Sequence, residues 1–176
     1  MATWSIDPVH SSVEFSLEYM GISTWRARFR TAELALDFDE AAPTRASVSA
    51  SVDVASIDVT NERLYGKLME PDFFDRDKHP TLTFRSTRVE AAGDRRYRVA
   101  GDLTIKGATR PAVLEATYGG QAKSPFSGKT VAAFRAETRI NRGDFGLTWN
   151  AAVETGGQYL GEAVQITLAI AAIRQD

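Results

Sequence analysis

The sequence predicts an all-β protein, eight antiparallel strands closed into a barrel or stacked as a sandwich, with one short helix. Three observations carry this expectation. Apolar and polar residues alternate with period two along most of the 176 residues, the period of a strand with one buried face. Turn-forming stretches such as Glu40–Thr44, Ala92-Gly93-Asp94, Lys106–Pro111 and Gly119–Lys129 separate most of the alternating runs. One segment, near residues 61–70, instead spaces apolar residues four apart, as a helix face does. One-face alternation implies antiparallel pairing around a single apolar interior, and eight such strands suit a barrel or a sandwich.

The first strand alternates Val13, Phe15, Leu17 and Tyr19 with Ser12, Glu14, Ser16 and Glu18. The second, Trp25–Phe38, begins with Arg26, Arg28 and Arg30 behind Trp25, Ala27 and Phe29. A turn through Met20–Thr24 would set Tyr19 opposite Trp25, Leu17 opposite Ala27 and Phe15 opposite Phe29. It would also place Glu18 beside Arg26 and Glu14 beside Arg30. Opposite charges across strands contribute ~0.2–1 kcal/mol per pair, so the arginines read as scaffold, with anion binding as the alternative. The apolar parity then switches between Phe29 and Leu34, which predicts a β-bulge near Thr31-Ala32 and a bend in the strand.

The third strand carries Val48, Ala50, Val52 and Val54, and the fourth Leu82 and Phe84. The fifth carries Tyr97, Val99, Gly101, Leu103 and Ile105, and the sixth Ala112, Leu114, Ala116 and Tyr118. Phe134, Ala136, Thr138 and Ile140 mark the seventh, and Val164, Ile166, Leu168 and Ile170 the eighth. The helix pairs Leu64 with Leu68 and Tyr65 with Met69; Thr60 can cap it and Pro71 ends it. Phe73-Phe74 follow. The chain reads as one domain, residues 1–176.

Composition excludes several functions. The formal net charge is -2, whereas a general polyanion binder is basic. With no cysteine, thiolate metal sites, disulfides and thiol nucleophiles are ruled out. His10 and His79 are far apart in sequence and offer little to a metal. No segment reaches the ~18 apolar residues of a membrane-spanning helix. Met1-Ala2-Thr3 runs straight into Trp4 without a basic start or apolar signal core. The expected location is the cytoplasm, or the periplasm if a leader has been removed.

The inward rows mix large residues with small ones: Ala27, Ala50, Gly101, Ala112, Ala116 and Ala136. An eight-stranded barrel either fills with side chains or holds one small ligand. The small residues favour a hollow, or they interlock with the large ones, and composition leaves both open. Asp7, His10 and Ser11 superficially suggest a nucleophilic triad, but strand neighbours point to opposite faces and no nucleophile elbow accompanies them. Structural roles are the simpler reading for both histidines. The long connection Asn141–Glu162 carries Phe145, Leu147, Trp149, Tyr159 and Leu160, and either lines a mouth or packs.

The linear order of short stretches resembles the YceI-like family of lipid- or polyisoprenoid-binding proteins. The start WSIDPVHSSVEFSLEYMGIS carries Trp4, Asp7, His10, Ser11 and Phe15. ASID (Ala55–Asp58), DFFD (Asp72–Asp75) and HPTLTF (with Pro80 and Phe84) follow. VAGDLTIKGATRPAVLE contributes Gly101, Leu103, Thr104, Ile105, Gly107, Thr109 and Pro111. INRGDFGLTWN contributes Arg142, Phe145 and Gly146, and LGEAVQITLAI contributes Gly161 and Val164. The resemblance covers essentially the whole chain.

It implies a lipocalin-like eight-stranded antiparallel barrel, a helix closing one end, and an apolar channel for an isoprenoid quinone or a polyprenyl phosphate. It also implies a homodimer, while the residues themselves lead us to expect no catalysis, no cofactor beyond a bound lipid and no stable membrane insertion. Two departures stand out. Where many members carry Arg-Asp-x-His-Leu, this helix reads Leu64-Tyr65-Gly66-Lys67-Leu68. Where glycine is common it has Ala27, expected to narrow the channel. The residues expected to contact the ligand are Phe15, Leu17, Tyr19, Trp25, Phe29, Leu68, Phe73, Phe84, Leu103, Phe134, Trp149 and Ile166, with a headgroup near the mouth. The competing readings are a small-molecule enzyme using His10, and a packed interaction or stress-response module without ligand.

Overall fold

The computed structural model describes residues 1–176. Its ten strands are β1 (Ala2–Ile6), β2 (Ser12–Tyr19), β3 (Ser23–Phe29), β4 (Ala32–Phe38), β5 (Ser47–Asp53), β6 (Thr81–Gly93), β7 (Arg96–Ile105), β8 (Ala108–Lys123), β9 (Thr130–Asn141) and β10 (Leu160–Arg174). The helix α1 spans Glu62–Met69. All strand pairs are antiparallel, and the ring β1-β4-β5-β6-β7-β8-β9-β10 closes through β1 pairing with β10. Strands β1 and β2 lie end to end along β10, with Ile6 opposite Ala172 and Ser12 opposite Ala169. Strands β3 and β4 lie end to end beside them. The molecule is therefore a closed eight-stave barrel in which two staves are interrupted.

Local chemistry explains both interruptions. Pro8 has no N–H for a ladder, and the Asp7 carboxylate accepts the Val9 and His10 N–H groups instead. The parity switch after Phe29 is met by a break rather than a bulge within one continuous strand. At this break, Arg30 N–H donates to Ser56 O and Asp53 N–H donates to Thr31 O.

Three expectations are corrected here. The β2–β3 loop is three residues, Met20–Ile22, because Met20 and Gly21 adopt φ of 56° and 72°. Leu17 therefore faces Trp25, Phe15 faces Ala27 and Val13 faces Phe29. A two-residue shift keeps every side chain on its expected face but changes the ion pairs. Arg28 and Arg30 bind Asp58 at 3.2 and 3.0 Å, not the glutamates of β2. The helix cap is Asn61, whose side chain accepts the Leu64 N–H, rather than Thr60. Strand β1 was not anticipated, although its Trp4 is 1% exposed.

At one end of the barrel Trp4, Leu36, Phe38, Tyr118, Ala132 and Ala172 pack tightly. The Trp4 indole donates to Phe38 O at 3.2 Å, and the Tyr118 hydroxyl donates to Glu40 at 3.0 Å. At the other end α1 lays Leu68 against Ala27, Phe29 and Ile57. A third cluster, Ile105, Phe145 and Leu147, receives Phe73 and Phe74.

Candidate functional site: an apolar lumen

Between these clusters lies a cavity of about 760 Å³, within the ~300–1,000 Å³ of small-molecule sites. Of its 49 bordering residues 39 are hydrophobic, so the wall offers a guest contact area but few hydrogen bonds. The hollow also explains a low burial: 19 of 176 residues are buried. Inward side chains such as Phe15, Phe84, Leu103 and Ile166 are half-buried because they face open space.

All twelve residues expected from the sequence border this cavity: Phe15, Leu17, Tyr19, Trp25, Phe29, Leu68, Phe73, Phe84, Leu103, Phe134, Trp149 and Ile166. Ala50, Ala116 and Ala136 border it too, and a short inward side chain leaves the lumen open beside it. The other small residues behave differently. Gly101 is roofed by the Phe84 ring, and a Cβ there would meet that ring at 2.5 Å and Arg85 O at 2.4 Å. Ala112 lies outside the lining, and Ala27 is covered by the helix cluster, so its methyl does not narrow the lumen.

Aromatic rings form two contact chains at the helix end. Phe74 meets Phe29, which meets Phe15, which meets Trp25, with centroids 5.9, 5.7 and 5.6 Å apart. Phe73 meets Trp149, which meets Tyr159, which meets Tyr19, at 5.4, 6.0 and 5.1 Å. Offset and edge-to-face contacts of this kind give a stiff apolar rim. Leu147, Trp149, Tyr159 and Leu160 of the long connection border the lumen, whereas Phe145 is packed behind it.

Arg142 holds that connection, a role the sequence reading did not assign. It is buried, and its guanidinium donates to the carbonyl oxygens of Gly161, Leu147, Trp149 and Leu160. Burial pushes its pKa down, partly offset by Glu162. Asn150 adds a pair of bonds to the Leu160 backbone. The signal available in the sequence was an arginine opening a loop rich in glycine and aromatic residues.

The polar residues at the rim are few. The Tyr159 hydroxyl donates to that of Tyr19 at 3.4 Å, and this bond raises the Tyr159 pKa, with burial adding to it. Lys67 sits between Glu70 and Asp72, at 3.1 and 3.6 Å, and the Glu70 hydrogen bond raises its pKa. Leu64 also borders the lumen, while Tyr65 turns away and donates to Ala55 O.

The suggested triad does not assemble. His10 binds Asp7 at 2.8 Å, which holds the Asp7 carboxyl below its usual range. The Ser11 hydroxyl exchanges hydrogen bonds with the Ala171 backbone. His79 lies over Gly107 in the β7–β8 turn, where Lys106 also donates to Pro71 O.

Known proteins are similar to this chain in architecture and, in part, in sequence. The YceI-like domain model matches residues 4–172. A UPF0312 protein of Staphylococcus epidermidis is 32% identical over 165 residues, 94% of each chain. The crystal structure of Burkholderia cenocepacia BcnA superposes with a TM-score of 0.82 at 24% identity, covering 94% of this chain and 98% of that one. A polyisoprenoid binding domain from Saccharophagus degradans, implicated in plant cell wall breakdown, gives a TM-score of 0.71 at 12% identity, covering 99% and 100%. The last two likenesses speak for the fold. The family model spans both barrel ends, the interrupted staves and the loop held by Arg142, and the chain belongs to the YceI-like domain family.

Proposed function

We propose that the protein binds a long isoprenoid lipid, an isoprenoid quinone or a polyprenyl phosphate, inside the barrel and carries or stores it without making or breaking a bond. The observation that carries this reading is the apolar lumen of about 760 Å³. A hydrocarbon gains roughly 0.8 kcal/mol per methylene buried, so a prenyl tail recovers contacts that an empty wall forgoes. Chain ordering and incomplete burial return much of that sum. The twelve residues named above contact the tail, and the aromatic rim meets the headgroup. Membership of the YceI-like family and the fold shared with a polyisoprenoid binding domain agree with this reading.

The test is organic extraction of protein purified without detergent, followed by mass spectrometry, alongside uptake of a fluorescent apolar probe. An extracted prenyl lipid that displaces the probe is the expected result. Protein that yields no lipid and takes up no probe overturns the reading.

A further inference from the structure

Helix α1 walls one end of the lumen through Leu64, Lys67 and Leu68, and hydrogen bonds hold it there only loosely. Strand β3 pairs with β2 on one side alone. On its other side Arg28 O accepts the Asp58 N–H, and Arg30 N–H donates to Ser56 O. Backbone groups two residues apart point the same way. Those of Arg26 and Thr24 therefore face the same seam, where no strand meets them. The helix covers this seam with side chains: Leu68 packs against Ala27 and Phe29 of β3 and against Ile57 beyond it. One hydrogen bond joins α1 to the rest of the barrel, from the Tyr65 hydroxyl to Ala55 O at 2.7 Å. Its other bonds stay within residues 61–76.

The helix is also weak in itself. Its 8 residues fall short of the ~12–15 that an isolated helix needs. Gly66 stands near its centre, where glycine costs stability relative to alanine. Packing does not call for a glycine there. Gly66 is exposed, does not border the lumen, and has nothing within 4 Å of the place a Cβ would take. The turn that follows is held more firmly. Phe73 and Phe74 sit in the apolar clusters, and Lys106 donates to Pro71 O. Opening is thereby confined to α1.

We propose that α1 is the gate of the lumen, opening by local unfolding, and that Gly66 sets how often it opens. The inference rests on the carrier reading and adds the route by which the lipid enters and leaves. A firmer or looser helix changes the free and the loaded protein alike. Uptake and release therefore change together, and the affinity does not.

Gly66→Ala and Tyr65→Phe test the gate in opposite directions, with all-trans-retinol as a fluorescent isoprenoid probe in stopped flow. Neither residue borders the lumen. Gly66→Ala should slow uptake and release about fivefold. Tyr65→Phe loses the bond to Ala55 and should speed both by about threefold to tenfold. Hydrogen exchange at the α1 amides should shift by the same factors. Rates that stay native while α1 exchange shifts mean that the lumen stands open without the helix moving, and they overturn the gate. So does a variant in which release changes and uptake does not. Native α1 amides that exchange no faster than those of β9 and β10 overturn it too, because the helix then opens only with the whole fold. If the native protein takes up no retinol, the carrier reading itself is overturned.

Discussion

Gly101 shows how a single missing side chain shapes the wall. The Phe84 ring lies where a Cβ would stand, and the Arg85 carbonyl is closer still. Gly101→Ala is therefore expected to destabilise the barrel by about 1–3 kcal/mol, as overpacking does, read from urea denaturation. In the sequence Gly101 reads as space, because the position of a ring on the neighbouring strand is not encoded in alternation. Tyr118 makes a second prediction. Burial lifts its pKa from 10.0 to about 12. The unfolded chain releases this proton near the ordinary value while the fold retains it, so the contribution is full below that value. It is lost as pH rises from about 10 to about 12. The loss is on the order of 2 kcal/mol, and it should be smaller in Tyr118→Phe when the two proteins are unfolded in urea across that range.

The long connection between β9 and β10 depends on Arg142. Arg142→Ala leaves four backbone carbonyls without their donor and is expected to cost about 2–4 kcal/mol. Hydrogen exchange should quicken at Leu147, Tyr159 and Leu160, whose amides are bonded within this segment. Arg142→Lys should not restore protection, since an ammonium cannot reproduce the planar fork. Unchanged exchange in both variants would contradict this account. The strands themselves were legible because alternation marks faces directly. Their registers were not: the left-handed Met20 and Gly21 shortened a loop that composition alone left at five residues. Strand β1 was too short for its alternation to stand out, and Asp7–Ser11 hid that it continues the line of β2.

A barrel whose inward rows are only partly filled has room for a guest, and the molecule's function is argued from that room. Ala136 faces Ala116 across β8 and β9 and Leu168 on β10, with all three bordering the lumen. Ala136→Trp should block the lumen and abolish uptake of an apolar probe. It should keep or raise the melting temperature, because it fills a hollow instead of crowding a packed core. The nine lining residues on strands could be named from the sequence because closure sends one face of every strand inward, whereas Leu68, Phe73 and Trp149 lie on the helix, the turn after it and the long connection, where strand parity gives no signal. The volume the lining leaves could not be named, because it depends on where rings such as Phe84 and Phe73 lie. The crystallographic map of protein purified without detergent tests the central claim most directly. Continuous density from an extended apolar chain along the lumen is the predicted result, and side chains filling that volume, or ordered water along its whole length, would contradict it.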